Sequence, residues 1–322
     1  MKAILIEGSD LRWGEVATPE PGVGEVRIRV RASAVNRADL VQRAGAYAPP
    51  PGASPILGLE CAGEIDAVGP EVANFAVGDA VCALLAGGGY AEAVVVPAGQ
   101  VRPLPPGLSM TEAAAIPEVF ATAYLNLYME GAATPGERFL VHAGASGVGT
   151  AAIQLGQLFS NPVAVTLSGA AKAERCIALG AEAAFDRGAE DFWAQIEAWA
   201  GAQGVDVILD PVGGAYLEGN MKVLAVDGRL VIIGLMGGAQ ANLGLGLMMV
   251  KRQRVIGSTL RARSVAAKAA VMDALEQRLW PAFGSGALKP IIETTFPMAE
   301  ADAAHRLIAE NGTVGKVLLT LD

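Results

Sequence analysis

Cysteine, histidine and positive charge are scarce in this chain of 322 residues: three cysteines, two histidines, and 24 lysines and arginines against 33 acidic residues. Cys61, Cys82 and Cys176 are odd in number and far apart, which suits reduced thiols of a cytoplasmic protein better than a disulfide framework. Their expected role is as small core residues. A formal net charge of −9 argues against a nucleic-acid surface, and no basic or aromatic cluster overrides it. No apolar run reaches the ~18 residues of a membrane span. The start, Met1-Lys-Ala-Ile-Leu-Ile-Glu7, is too short and too soon acidic for a signal peptide and reads as a strand. Neither His142 nor His305 has a metal-ligand neighbour at regular spacing. His142 reads as a hydrogen-bonded strand-end residue and His305 as a helix-surface residue.

Apolar residues and glycine are plentiful instead, at 52% and 40 residues respectively. That is core material for about two domains of ~150 residues. The most informative stretch runs from Phe139 to Phe159. A buried strand is followed by Gly144-Ala-Ser146-Gly147-Val148-Gly149 and then by Ala151, Ala152, Leu155 and Phe159 at helical spacing. Glycines allow positive φ and close backbone approach, and the N–H groups and positive dipole end of the following helix favour a phosphate. The spacing is a variant of the dinucleotide fingerprint, with Ser146 at its middle glycine.

An adenine ribose with free hydroxyls is usually held by a carboxylate about 20 residues beyond such a turn. The chain has Thr166-Leu-Ser168-Gly169-Ala-Ala-Lys172 there, with no acid. Ser168 and Gly169 offer donors to a 2′-phosphate, Lys172 adds charge, and Arg187 follows the third strand. NADPH is therefore expected over NADH.

The first third reads as β-rich, with Val26, Ile28 and Val30 alternating with Arg27, Arg29 and Arg31. Further short strands are expected at Ala62–Val68, Asp79–Leu85 and Tyr90–Val96, before a proline-rich connector at Pro103–Pro106. From Glu137 to Leu260 strands and helices alternate. Strands are expected at Phe139–Ala143, Val163–Leu167, Ala183–Phe185, Val205–Asp210, Arg229–Gly234 and Val255–Thr259, which implies an α/β doubly wound six-stranded parallel sheet. A long helix to about Trp280, a strand near Ile291–Phe296, a helix around Glu300–Asn311 and a closing strand Lys316–Leu321 follow. The last strand should rejoin the first domain. The expected division is 1–121 and 262–322 for a discontinuous β-rich domain, and 122–261 for the nucleotide-binding domain.

Several motifs together carry a family resemblance over nearly the whole length: Ala34-Val-Asn36-Arg-Ala-Asp39, Gly45-Ala-Tyr47-Ala-Pro-Pro-Pro-Gly52, Gly58-Leu-Glu-Cys-Ala-Gly63, Ala115-Ile-Pro-Glu118-Val-Phe-Ala-Thr122, His142 to Gly149, Gly234-Leu235-Met236-Gly-Gly238 and Gly315-Lys316. The chain resembles the medium-chain dehydrogenase/reductases, in their zinc-free quinone-oxidoreductase branch of zeta-crystallin type. The resemblance implies a Rossmann domain and a GroES-like domain. Zinc relatives place cysteine, histidine and cysteine ligands at positions that here hold Asn36, Leu59 and Glu118. Leucine offers no ligand atom, and an amide with one carboxylate cannot reproduce a nitrogen and sulfur site, so no metal is expected. The proton-relay hydroxyl of those relatives is replaced by Ala38.

Without a Lewis acid, an isolated alkoxide is hard to stabilise, whereas a quinone or enone delocalises the charge it acquires. The expected reaction is hydride transfer from NADPH to a quinone or related electron-poor conjugated carbonyl. By resemblance, Asn36 orients substrate oxygen or cofactor ribose and Tyr47 lines the substrate cleft as a hydrogen-bond donor. Thr122, Gly234 to Met236 and Lys316 join the cofactor residues on the same ground. Asn36 also reads as the cap of a helix starting at Arg37, and Tyr47 as cover for the Pro49–Pro51 turn. Two alternatives stand beside quinone reduction: an NADPH-dependent enoyl or enone reductase, and an NADPH-binding sensor or structural protein. The edge strand Val255–Thr259 is expected to pair with its copy in a homodimer.

Overall fold

The alternation around Val26, Ile28 and Val30 forms the longest strand of the protein, Glu25–Ala34, with all three side chains buried. Around it the computed structural model, which describes residues 1–321, builds the first of two units. That unit combines Met1–Ala121 with the chain from Leu260 onward; the second comprises Thr122–Thr259. The return to the first unit thus falls at Leu260, two residues before the position expected from sequence.

In the first unit a seven-stranded sheet runs in the order Ile292–Pro297, Lys316–Thr320, Glu25–Ala34, Glu60–Val68, Ala80–Leu84, Val101–Pro103, with Ala93–Pro97 pairing the free half of Glu25–Ala34. Lys316–Thr320 pairs antiparallel with Ala32–Ala34, Leu318 facing Ala34. This register brings Lys316 to the point where the chain leaves the sheet at Val35 and Asn36. The same turn of chain starts the helix Arg37–Arg43, and Glu60 opens the neighbouring strand. Three segments distant in sequence meet at one end of the sheet.

His305 departs from expectation. It is 2% exposed and meets Tyr90 edge-on, with ring centroids 5.8 Å apart. Its helix, Ala301–Ala309, turns Ala301, Ala304 and His305 inward together, the three-to-four spacing of a buried helical face. His305 is therefore a core residue and not a surface one.

The second unit is a six-stranded parallel sheet in the order Ala183–Asp186, Val163–Leu167, Phe139–His142, Val205–Asp210, Leu224–Ile232, Arg254–Gly257. This is a doubly wound Rossmann sheet whose chain order reverses between Phe139–His142 and Val205–Asp210, the point where such sheets hold ligands. The expected fifth strand stops at Ile232, not Gly234, because the chain there turns onto the neighbouring loop: Met236 N–H donates to Pro211 O at 3.2 Å and Gly237 N–H to Val212 O at 2.7 Å. The sixth strand is shorter than expected and lies at the sheet edge. His142 is a buried strand-end residue, hydrogen-bonded to Thr166 Oγ1 at 2.8 Å and Asn220 Oδ1 at 2.7 Å.

Candidate active site

In the second unit the strand Phe139–His142 runs through Ala143 into the glycine turn and the helix Gly147–Leu158. Close packing dictates two of the glycines. A Cβ on Gly144 would sit 2.3 Å from Val165 Cβ, and one on Gly149 2.4 Å from Gly144 O. Positive φ, expected of the glycines, falls instead on Ala143, at 57°. Ser146 caps the helix, its hydroxyl accepting from Gly149 N–H at 3.0 Å. Gly147 and Val148 occupy the first helical positions, whose N–H groups have no acceptor within a helix. The loop therefore fits a pyrophosphate: bare backbone, aligned donors and the positive end of a helix.

At the end of the second strand, Gly169 takes φ 85° and begins the helix Ala170–Ala178. Lys172 and Arg187 stand near one another, since burial first and the Arg187 charge second hold the Lys172 ammonium pKa below its usual range. Sequence reasoning missed Asp186. The segment after Leu167 has no acid of its own, yet Asp186 Oδ2 from the adjacent strand accepts from Gly169 N–H at 3.1 Å. Its carboxyl is held below the usual range by the N–H groups of Gly188 and Gly169. A carboxylate is thus present at this turn together with two cations. Gly234 lies against Pro211, where a Cβ would be 2.8 Å from Pro211 O, and it carries the exposed Leu235 and Met236. Thr122 lies in the helix Pro117–Tyr124, where its carbonyl accepts from Asn126 Nδ2 at 2.7 Å.

The first unit gathers a buried polar cluster around Asn36. The Asn36 N–H donates to Asp39 Oδ2 at 2.8 Å, so the residue does start the helix Arg37–Arg43. Its side chain turns elsewhere. Asn36 Nδ2 donates to Glu60 Oε1 at 2.9 Å, and Asn36 Oδ1 accepts from Lys316 Nζ at 2.6 Å. Lys316 Nζ also donates to Val35 O and pairs with Glu60 Oε1, each at 2.8 Å. Lys316 is 3% exposed and Glu60 fully buried, so this ion pair sits in the interior.

All three ammonium hydrogens of Lys316 are spent on Val35, Asn36 and Glu60. In this arrangement the lysine fixes the Asn36 amide. Glu60 Oε2 accepts from Glu118 N–H at 2.9 Å. Glu118 itself has a buried Oε2 with no hydrogen-bond partner among the described residues. Burial first, and the Glu60 charge second, push its pKa up to about 8.

Tyr47 is half-buried, and the guanidinium of Arg261 lies 5.2 Å from its ring centroid. Arg261 is fixed by Ala86 O at 2.8 Å and Gln42 Oε1 at 2.7 Å. Burial raises the pKa of the Tyr47 hydroxyl. Behind the cluster Asp39 is fully buried, accepts from Gly58 N–H at 3.1 Å and Tyr90 OH at 3.1 Å, and is pushed up to about 6 by burial.

The donor set does not fit zinc. Asn36 Oδ1 accepts from Lys316 Nζ, Leu59 offers no ligand atom, and Glu118 supplies the single carboxylate of the three positions. Among the described residues no three His, Cys, Asp or Glu side chains converge on a common point.

Residues 22–106 match the family described as alcohol dehydrogenase GroES-like domain and residues 179–319 match zinc-binding dehydrogenase. The quinone oxidoreductase from Thermus thermophilus, solved also in complex with NADPH, is 35% identical over the full length of both chains, with a TM-score of 0.83. The chain belongs to the medium-chain dehydrogenase/reductases, in their zinc-free quinone-oxidoreductase-like family. The human synaptic vesicle membrane protein VAT-1 homolog is 32% identical, over 94% of this chain and 80% of its own length. The CurK enoyl reductase is 28% identical with a TM-score of 0.85, covering 100% of this chain and 99% of that one. This chain spans 64% of the Danio rerio VAT-1 homolog and 14% of a Mycobacterium tuberculosis polyketide synthase that it also matches. No described helix is long and apolar enough to cross a membrane.

Proposed function

We propose that this oxidoreductase reduces quinones and related electron-poor conjugated carbonyls with NADPH. The observation that carries the reading is that Asn36, at one of the positions where zinc relatives place a metal ligand, is bonded instead to Lys316 and Glu60. An amide locked by an ammonium and a carboxylate is no Lewis acid, so the arrangement suits an acceptor whose charge is already spread over a conjugated system. The loop Gly144–Gly149 would hold the pyrophosphate through the N–H groups of Gly147 and Val148, while Ser168, Gly169, Lys172 and Arg187 would receive the 2′-phosphate. When bound, NADPH supplies the hydride. Tyr47 would orient the acceptor oxygen, with Arg261 holding its ring in place, while Asn36, whose two Nδ2 hydrogens go to Glu60 Oε1 and Ala34 O, would use Oδ1 to accept from a cofactor ribose hydroxyl.

Thr122 and Gly234 to Met236 belong to the nicotinamide side of this proposal. The likeness to CurK supports a second reading, reduction of a carbon–carbon double bond conjugated to a thioester. NADPH oxidation measured against naphthoquinone, phenanthrenequinone, small enones and an enoyl-CoA separates the readings. Quinone turnover well above thioester turnover supports the first, and the reverse order supports the second. Tight NADPH binding with no turnover on any of them would contradict both.

A further inference from the structure

Both carboxylate oxygens of Glu60 are spent inside the protein, Oε1 on Asn36 and Lys316 and Oε2 on the Glu118 N–H. Both oxygens of Asp39 are likewise spent, on Asn36 and Gly58 N–H and on Tyr90 OH. Glu118 is different. Its Oε2 is buried and accepts from no donor among the described residues, although its backbone lies against Glu60. A carboxylate in that position would put charge on an oxygen with no hydrogen bond to hold it, beside a second carboxylate. A carboxylic acid there carries a smaller cost, that of one unpaired polar group and not of an unpaired charge.

We propose that Glu118 is held protonated and donates the proton that completes reduction of the acceptor. The inference rests on the reading of the protein as a reductase of conjugated carbonyls. The acceptor takes up two electrons and a hydrogen as hydride from the reduced nicotinamide, and negative charge appears on its carbonyl oxygen. The Glu118 O–H bond then breaks and an O–H bond forms on that oxygen, giving the hydroquinone or enol. The carboxylate left beside Glu60 regains its proton from water.

The surroundings agree. The charges acting on Glu118 are Glu60 and Asp39, which favour the protonated form, and Lys316 and Arg261, which oppose it; burial outweighs the rest. Lys268, 5% exposed with its Nζ 3.4 Å from Arg261 O, is the further cation that feels Glu118. The acid sits at about 8, close to neutral pH, where a general acid works best. Tyr47, the other hydroxyl near the cluster, is shifted away from proton release by its burial and by Glu118.

The test is a pH–rate comparison of the parent, Glu118→Gln and Glu118→Asp on a series of quinones and enones graded by the basicity of the reduced oxyanion. Infrared titration of the protonated carboxyl band accompanies it. The parent should lose kcat/KM above about pH 8, and the band absent from Glu118→Gln should titrate with the same midpoint. Glu118→Gln should lose that pH dependence and lower kcat on the order of 10²-fold for simple enones, less for quinones, with Glu118→Asp partly restoring it. A merely structural role would lower all acceptors equally. An equal loss on every acceptor, or an unchanged pH profile in Glu118→Gln, overturns the inference while the parent remains active. A parent that reduces no acceptor overturns the reductase reading itself, and the inference with it.

Discussion

Replacing Lys316 by methionine tests the cluster most sharply, because the lysine holds two other site residues at once. Its ammonium lies 2.6 Å from Asn36 Oδ1 and 2.8 Å from both Val35 O and Glu60 Oε1, with 3% exposure. Methionine fills most of the stem volume but leaves the buried Glu60 charge without its counter-ion. Breaking one side of a buried ion pair typically costs about 3–5 kcal/mol. A folding unit of this size shifts by roughly 2–4 °C per kcal/mol, so the melting temperature should fall by roughly 6–20 °C.

The pairwise design adds a second readout. In Lys316→Met with Glu60→Gln the stranded charge is gone, so much of the lost stability should return. Scanning calorimetry at neutral pH on the four proteins of the cycle gives the coupling directly. A Lys316→Met protein melting within about 2 °C of the parent, a margin of under about 1 kcal/mol, would show that the ion pair does not organise this site.

Three further outcomes follow from the geometry. Lys172→Ala should weaken NADPH about tenfold or more while leaving NADH little changed, by fluorescence titration, and Asp186→Ser should tighten NADPH by removing a carboxylate from the same turn. Equal affinities for the two cofactors in the parent would refute this assignment. Glu118 binds its proton more tightly in the folded protein, at about 8 against an ordinary 4.5, so its contribution to stability is present at low pH and is lost as pH rises through about 8. Chemical denaturation should therefore show stability declining from about pH 5 to 9 in the parent, and a flatter profile in Glu118→Gln; parallel profiles would contradict the raised pKa. The sheet edge Arg254–Gly257 is proposed to pair with its copy across a twofold axis, so light scattering should report a dimer that Ile256→Pro disrupts.

The Rossmann unit was largely legible in the sequence, because its strands are short apolar runs and its glycine turn carries a fixed spacing. What escaped is what depends on neighbours across the sheet. Asp186 is distant in sequence from Gly169, and only the parallel pairing of their strands brings the carboxylate to that N–H. Ala143 takes the positive φ that the adjacent glycine invites one to assign there. Asn36, Glu60 and Lys316 come from three separate segments, so the sequence marked Asn36 and Lys316 singly while their mutual bonds had to await the register of Lys316–Thr320 against Ala32–Ala34.

The protonation of Glu118 had no sequence signal. It follows from the burial of Glu118 first, from the neighbouring Glu60 charge and from a missing partner, all properties of the packed unit. His305 did have one: the spacing Ala301, Ala304, His305 marks an inward helical face, and polarity alone suggested otherwise.

The most direct measurement of the central claim is NADPH oxidation by naphthoquinone, followed in protein dialysed against a strong chelator, with the zinc content of the same sample determined by elemental analysis. With Asn36 bonded to Lys316 and Glu60, and Leu59 offering no ligand atom, turnover should persist unchanged at zinc contents far below one per chain. Stoichiometric zinc that leaves on chelation together with the activity, and restores it on return, would contradict the account.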